Sequence, residues 1–187
     1  LYREPPERNS SQSVSMRIEW AYTFNELRDI GCQFLFIDES GFNISLSRGR
    51  GYARVGESPS VTIPPRGSNI TLIALMGTRL GLLHEKYIGG VNAKTFEDFL
   101  ISAAPRIKEA YGREPVVIIL DNARIHKGSK GENVDIPRTI RKLGFFHLFT
   151  IPYSPQLNAI EMVFSQLKSY VVSEFVKFPE KRKNLGV

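Results

Sequence analysis

Three acidic residues of this chain stand in settings that would suit the cleavage of phosphodiester bonds. Asp38 closes the apolar run FLFIDES, Asp121 closes VVIILDNARIH, and Glu161 lies in IPYSPQLNAIEMVFSQLK, just inside a predicted helix. In-line displacement at phosphorus benefits from two metal ions about 3.5–4 Å apart, and Mg²⁺ prefers carboxylate oxygens with water and phosphate. Three acids suffice for such a site if the fold brings them together. Without metal, we expect their mutual repulsion to raise their pKa values.

Each acid also has an ordinary structural explanation. Asp38 could be a turn residue at the end of a strand, and the pair that Asp121 begins is common in loops. Asn158 and Glu161 have the spacing of a helix N-cap and its N3 partner. From that spacing alone, the cap is the favoured interpretation, so the argument for chemistry depends on the three acids converging.

Neighbouring polar residues could support the acids. Asn122 and Asn158 could orient the carboxylates from behind, or simply cap turns. His126 follows Asp121 by five residues and could contact phosphate or position a water molecule. A structural, hydrogen-bonded histidine explains the same residue equally well.

The basic residues suggest a polyanionic partner. The net charge is +6, and four arginines cluster between two predicted strands: Arg48, Arg50, Arg54 and Arg66. Lys168 shares a flank of the last predicted helix with Glu161. These five residues are candidate contacts to the phosphates of such a partner, although solvated surface would account for the same charges.

Length and composition limit the other possibilities. The chain has 187 residues, 42% hydrophobic and 24% charged, which suits one globular domain. A single Cys32 excludes an internal disulfide framework and a cysteine-rich zinc site. The sequence shows no P-loop, dinucleotide-binding glycine motif or HExxH motif. It lacks a secretion signal, and its apolar runs are too short to span a bilayer.

Hydrophobic periodicity predicts the elements that would position the acids. Five strands are expected, at QFLFID, NITLIALMG, LGLLHEKYIG, VVIIL and FFHLFTI. Helices are expected over 15–30, 93–111, a short stretch after Asp135, and 158–175, with 126–134 as a mobile loop. Pro105 should kink or divide the second helix. The first helix has five plausible inward positions: Ile18, Ala21, Tyr22, Phe24 and Leu27.

This order of elements predicts an α/β fold. A β-hairpin followed by βα units gives a mixed five-stranded sheet, with the first three strands antiparallel and the last two parallel to the first. Helices then cover both faces. Asp38 and Asp121 both end strands, so they should emerge at the same sheet edge, where open α/β sheets place their ligands.

The chain resembles the catalytic domain of mariner-type DDE transposases, which have a ribonuclease-H-like, retroviral-integrase-like fold. The matching strings are FIDESGF, RGYARVGESP, RGSNITLIALMG, LDNARIH and YSPQLNAIEMVFSQLK, and they extend over about 17–172. The order of IDES, LDNAxxH and YSPxLNxIE makes the resemblance specific. Two departures are Ala159, where the family usually has Pro, and Phe164, where Trp is common.

The resemblance implies a function for each acid. Asp38, Asp121 and Glu161 would form the metal-binding triad, with two Mg²⁺ ions that Mn²⁺ can replace. The implied reaction is a water-driven nick at a transposon end, followed by attack of the freed 3′-hydroxyl on target DNA. Double-stranded DNA and a second copy of the chain are the implied partners. The location would be intracellular, in the nucleus of a eukaryote or otherwise the cytoplasm.

The expected organisation is an N-terminal arm (1–14), a catalytic domain (15–176) with an inserted arm at about 42–67, and a basic tail (177–187). Because the chain begins at Leu1, we expect it to be a piece of a longer protein whose end-binding region is absent. Two other functions fit the same residues. One is a domesticated, transposase-derived DNA-binding or scaffold protein, and the other is a nuclease of the same fold without strand transfer.

Overall fold

The computed structural model describes residues 5–43, 52–58, 69–77, 79–131 and 133–178. Within these ranges the strands are β1 (Gln33–Asn43), β2 (Asn69–Gly77), β3 (Gly81–Ile88), β4 (Val116–Leu120) and β5 (Phe146–Phe149). The α-helices are α1 (Ser11–Asp29), α2 (Ala93–Tyr111), α3 (Arg124–Lys127), α4 (Ile136–Lys142) and α5 (Ile160–Lys177). Short 3₁₀ turns occur at Pro6–Asn9 and Pro155–Leu157. None of the described helices has the length and apolar character needed to cross a membrane.

The five strands form one mixed sheet in the order β3-β2-β1-β4-β5. β2 pairs antiparallel with both β1 and β3. β4 pairs parallel with both β1 and β5. The structure therefore confirms the predicted fold, including the parallel placement of β4 beside β1.

The helices cover both faces of this sheet, as predicted. Leu35 and Ile37 of β1 point into the larger core, which also contains α2 and α4. Phe34 and Phe36 point to the opposite side, against α1 and α5. Because side chains alternate along a strand, the next two residues of β1, Asp38 and Glu39, also belong to opposite faces.

Helix α1 differs from the prediction at its start and in its buried face. It begins at Ser11, after an N-cap at Ser10, so the expected arm boundary at residue 14 lies inside the helix. Phe24 and Leu27 pack against the sheet as predicted, together with Trp20, which is 9% exposed. The other three predicted positions are exposed: Ile18, Ala21 and Tyr22. Trp20 sets which face of α1 is buried, because its large indole buries the most area and its Nε1–H donates to the last carbonyl of β5 at 2.9 Å.

Helix α2 confirms its predicted bounds. Asn92 and Thr95 form a reciprocal capping box at its start, and Gly112, with φ +60°, follows its last residue. Pro105 does not divide the helix, which continues through it as one element. Pro105 is exposed, so the hydrogen bond that its missing N–H removes lies on the solvent side.

The segment after β4 is more ordered than the predicted mobile loop. His126 lies in the short helix α3, and beyond it the backbones of Ser129 and Val134 form hydrogen bonds to each other in both directions, which closes a turn. Gly128 makes this turn possible. Its φ is +109°, and a Cβ there would lie 2.2 Å from the Val134 carbonyl oxygen.

Two predicted regions lie mostly outside the described residues. Of the inserted arm, residues 42–43 belong to β1, because pairing with β2 continues beyond the point where β4 ends, and residues 52–58 include a turn. Arg48, Arg50 and Arg66 are not among the described residues, and neither is the basic tail beyond residue 178.

Candidate active site

The register of the parallel strands places two of the three acids side by side. The last paired residues of β1 and β4 are Phe36 and Ile119, and Asp38 and Asp121 each follow two residues later. Neighbouring strands lie about 4.8 Å apart. Both carboxylates therefore emerge together beyond the parallel pairing of β1 and β4, at the sheet edge that the sequence predicts. Asp38 does not end its strand as predicted, because β1 continues to Asn43 in its pairing with β2.

Asp38 is held by donors on two sides and is only 8% exposed. Its Oδ1 accepts the backbone N–H of Glu39 at 2.8 Å, and its Oδ2 accepts the side-chain amide of Asn158 at 2.9 Å. Burial raises the pKa of Asp38 to about 7, with further contributions from the charges of Asp121 and Glu39. The expected effect of crowded acids is thus present at Asp38.

Asp121 is the opposite case. Its Oδ1 accepts the backbone N–H of Ala123 at 2.8 Å and lies 2.6 Å from Nδ1 of His126. The hydrogen bond from His126 holds the pKa of Asp121 below its usual value, even though partial burial acts against this. The expectation of a raised pKa is therefore wrong for Asp121, because a histidine neutralises its charge.

His126 is completely buried and joins two carboxylates. Its Nε2 lies 2.9 Å from the carboxylate of Glu39, and its ring packs on that of Phe96 with the centroids 4.5 Å apart. Burial of the ring lowers its pKa, but the hydrogen bonds to Asp121 and Glu39 outweigh this effect and raise the pKa to about 10. His126 is therefore a doubly protonated imidazolium at neutral pH.

Glu161 approaches the aspartates from α5. Ile160 and Phe164 of that helix are buried against Ala74 of β2, which is the registered partner of Asp38. This packing brings the first turn of α5 over the sheet edge. Glu161 is exposed in that turn, where the partial positive charge of a helix N-terminus stabilises a carboxylate.

The capping-box interpretation of Glu161 is wrong. Ala159 occupies the N-cap position of α5, and no side chain caps the helix. Asn158 instead donates its side-chain amide to the buried carboxylate of Asp38, and its Oδ1, the atom that a cap would use, accepts no hydrogen bond from the described residues.

One pocket of about 210 Å³ unites these groups. Its walls include all three acids and both candidate supporting asparagines: Asp38, Asp121, Glu161, Asn122 and Asn158. No Lys or Arg is among the described residues that line it, and the imidazolium of His126 compensates Asp121 from behind the pocket wall. Oδ1 of Asn158 is buried in the same place without a hydrogen-bond partner. Carboxylates and an orphaned amide oxygen are the donor set that a hard divalent cation prefers.

The two asparagines have different roles in the structure. Asn158 contacts a carboxylate directly, whereas the amide of Asn122 donates to the backbone carbonyl of Thr150. Asn122 therefore ties the end of β4 to the end of β5. Nearby, Tyr153 adopts a left-handed backbone conformation with φ +56°, and its ring is half exposed at the pocket wall.

The candidate DNA contacts can be placed only in part. Arg54 is exposed in the described turn at 52–58. Lys168 lies on α5, two turns beyond Glu161, with its Nζ 6.0 Å from the centre of the Phe42 ring. Nothing in these positions tests whether either residue touches DNA.

Glu39 is the residue that the sequence alone did not single out. Together with Asp38 and His126 it offers one ligand atom each within 4.8 Å of one another, a spacing that could hold a metal ion. Both nitrogens of His126 already face carboxylates, however, so the imidazolium has no lone pair to give. The sequence signal that could have identified Glu39 is the alternation of side chains along β1, which directs Glu39 away from Asp38 and toward the face covered by α2 and α3.

The chain matches known proteins in family and in fold. Residues 33–183 match the family described as DDE superfamily endonuclease. The structure of the Mos1 transposase paired-end complex with left transposon end aligns with a TM-score of 0.70 at 18% identity, covering 91% of this chain and 52% of that chain. The Mos1 transposase catalytic domain with Raltegravir and Mg aligns with a TM-score of 0.59 at 15% identity, covering 92% and 76%.

This chain thus spans about half the length of the Mos1 chain in the paired-end complex. No curated protein sequence matches it. At these identities the solved structures establish the shared fold, and the family match, which extends from β1 through α5 and includes all three acids, establishes the relationship. The chain belongs to the DDE superfamily of endonucleases.

Proposed function

We propose that this chain is the catalytic domain of a mariner-type DNA transposase that cuts DNA at transposon ends and joins the freed end to target DNA. The convergence of Asp38, Asp121 and Glu161 in one pocket, with no Lys or Arg among its described lining residues, carries the proposal. The family match and the likeness in fold to Mos1 transposase support it.

The three acids and Asn158 would hold divalent metal at the mouth of the pocket. When bound, Mg²⁺ or Mn²⁺ supplies charge stabilisation at the attacked phosphate and a lowered pKa for the attacking oxygen. Asp38 and Asp121 contribute fixed orientation, because backbone N–H groups and neighbouring side chains lock their carboxylates. Glu161 is exposed in the first turn of α5 and would add the third carboxylate from that side of the pocket.

The proposed reaction has two balanced steps. In the first, the oxygen of water attacks a backbone phosphorus, the bond from phosphorus to the 3′-oxygen breaks, and a proton returns to that oxygen. In the second, the oxygen of the new 3′-hydroxyl attacks a phosphorus of target DNA and loses its proton, the bond from that phosphorus to its own 3′-oxygen breaks, and a proton returns to the displaced 3′-oxygen. One pocket can serve both steps, because each is an in-line displacement at a phosphodiester.

The proposed partners are double-stranded DNA and a second copy of the chain. Mos1 transposase has solved structures as a paired-end complex with a transposon end and as a strand-transfer complex, which motivates both proposals. Light scattering of the chain with a DNA duplex measures the stoichiometry directly, and two chains per complex is the expected result. An intracellular location, nuclear in a eukaryote, would follow from a DNA substrate.

Cleavage is tested by substituting Asp121. We expect Asp121→Asn to reduce Mg²⁺-dependent nicking of a supercoiled plasmid to background, because the amide is neutral and a poor ligand. Asp98→Asn is the matched control, since Asp98 is exposed on α2 and lines no part of the pocket. Full nicking by Asp121→Asn, with a normal circular dichroism spectrum, would contradict the assignment.

A second assay separates the transposase from its alternatives. A labelled duplex with a free 3′-hydroxyl is incubated with the chain, Mg²⁺ and plasmid DNA, and the label is sought in the plasmid. Covalent joining supports the transposase. Nicking without joining indicates a nuclease of the same fold, and DNA binding without either reaction indicates a scaffold protein.

A further inference from the structure

The buried pair Glu39 and His126 lies behind the candidate metal site and is not needed to build the pocket. Glu39 is on the face of β1 opposite Asp38, and its side chain is 13% exposed. It does not line the pocket. Both of its oxygens lie near Nε2 of His126, at 3.1 and 2.9 Å.

His126 is fixed from all sides. It is 0% exposed, and its ring packs against Phe96 of α2. It sits in α3, whose following turn is closed between Ser129 and Val134. The imidazole therefore has a single orientation available, with Nε2 directed to Glu39 and Nδ1 directed to Asp121.

This orientation determines which oxygen of Asp121 is used. Oδ1 receives both hydrogen bonds, from the Ala123 backbone and from Nδ1 of His126. Among the described residues, no donor is recorded at Oδ2. A carboxylate held by two donors on one oxygen cannot rotate freely, so its other oxygen keeps a constant position.

We propose that Glu39 is a positioning residue for the metal site: through His126 it locks the carboxylate of Asp121 so that Oδ2 faces the pocket as a single-oxygen ligand. The inference rests on the proposed function, because it assumes that Asp121 binds a divalent cation there. Partners that orient a ligand commonly change metal affinity about 10–100-fold when they are removed.

The competing role for Glu39 is that of a fourth metal ligand. Its spacing from Asp38 and His126 permits that arrangement. Both of its oxygens are directed to His126, however, and the strand alternation turns it from the pocket. The two roles make different predictions when Glu39 and Asp121 are changed together.

The experiment measures Mn²⁺ affinity of the chain without DNA, by paramagnetic relaxation of water protons. We expect Glu39→Gln to weaken Mn²⁺ binding about 10–100-fold, while the melting temperature in EDTA stays close to that of the wild type. Glu109→Gln is the matched control, because Glu109 is exposed on α2. Unchanged affinity in Glu39→Gln overturns the proposal.

A double-substitution cycle identifies the route of the effect. If Glu39 acts through Asp121, Glu39→Gln causes no further loss in an Asp121→Asn background but retains its full effect in a Glu161→Gln background. Equal losses in both backgrounds indicate direct ligation by Glu39 and overturn the proposal. If the melting temperature of Glu39→Gln is far below that of the wild type, the cycle is repeated with Glu39→Asp. Aspartate keeps the negative charge, but its shorter side chain extends less far toward Nε2 of His126.

These results also separate this inference from the proposed function. Absence of Mn²⁺ binding by the wild-type chain, or binding that Asp121→Asn leaves unaltered, refutes the metal site itself. Binding that depends on Asp121 but is insensitive to Glu39 refutes only the positioning role.

Discussion

At the residue scale, Asp38 and Asp121 hold equivalent places on neighbouring strands but have opposite electrostatic environments. Burial raises the pKa of Asp38 to about 7, whereas the hydrogen bond from His126 lowers the pKa of Asp121. The carboxylate of Asp38 is therefore only about half charged near neutrality, whereas that of Asp121 is charged well below it. Pairs of acids whose pKa values are pushed apart are characteristic of functional sites.

This difference predicts how pH affects stability. Asp38 binds its proton more tightly in the folded chain, with a pKa of about 7 against 3.8 for the unconstrained group. Its contribution to stability is therefore fully present below pH 3.8 and is lost as the pH rises through about 7. We expect Asp38→Asn, melted in EDTA, to gain stability relative to the wild type across this window.

Differential scanning calorimetry of both chains over that range provides the measurement. Asp98→Asn should show no such trend, since Asp98 is exposed and paired with Lys94. A melting temperature of Asp38→Asn that falls relative to the wild type as the pH rises would show that the ionised Asp38 stabilises the fold instead.

At the scale of elements, two packing contacts hold the site together. The first turn of α5 rests on β2, where Ile160 and Phe164 cover Ala74. The small Ala74 lets the helix approach closely, which places Glu161 beside the aspartates. On the other face, α3 holds His126 between β4 and α2.

Enlarging Ala74 should move α5 away from the sheet. Ala74 is completely buried, so Ala74→Leu overpacks this interface at a cost of about 1–3 kcal/mol. We expect the rate of plasmid nicking to fall by much more than this loss of stability would explain, since Glu161 loses its position. Ala104→Leu is the control, because Ala104 is buried in α2 on the opposite face. Equal losses of nicking activity in Ala74→Leu and Ala104→Leu would show that the contact between α5 and Ala74 has no specific role in placing Glu161.

Gly128 should be needed for the placement of His126. Its φ is +109°, and an added Cβ would meet the Val134 carbonyl oxygen at 2.2 Å, so Gly128→Ala must shift the turn. Backbone strain of this kind costs on the order of 1–3 kcal/mol. We expect lower stability in urea and weaker nicking.

Gly112→Ala serves as the comparison for that substitution. Gly112 also has a positive φ, of +60°, but no atom lies within 4 Å of an added Cβ. It should lose stability and keep its nicking activity. Nicking that survives in Gly128→Ala would show that α3 tolerates the shift of its turn.

At the scale of the whole molecule, the charges are unevenly arranged. The chain carries a net charge of +6, yet the described wall of its pocket has three acids and no Lys or Arg. Basic residues outside the pocket would attract the DNA backbone, and only the phosphate that is to be cut would enter the acidic pocket. The sequence places the best candidates for that attraction in the inserted arm.

The salt dependence of DNA binding tests these arginines. We expect Arg48→Ala and Arg50→Ala each to weaken binding and to reduce the slope of log affinity against log salt by about 0.9, because each phosphate contact releases counterions. Fluorescence anisotropy at several salt concentrations gives the slope. Arg113→Ala is the control, since Arg113 is exposed at the opposite end of the sheet. Slopes equal to that of the wild type would show that the two arginines do not contact DNA phosphates.

The sequence by itself determined the strands, most helices and the place of the three acids. These features follow from local rules. Buried strands are continuous apolar runs, amphipathic helices repeat at 3.6 residues, and acids that end parallel strands emerge at one edge. The bounds of α2 and β4 and the order of the sheet were predicted for these reasons.

Only the tertiary structure decided what each polar side chain contacts. Local spacing favoured Asn158 as a helix cap, but its amide donates to Asp38, a buried carboxylate on a strand distant in sequence. The link from Glu39 through His126 to Asp121 joins β1 to α3 across 87 residues of sequence. Such contacts depend on which faces pack together, and the free energy of a buried charge depends on neighbours that the chain supplies only after it has folded.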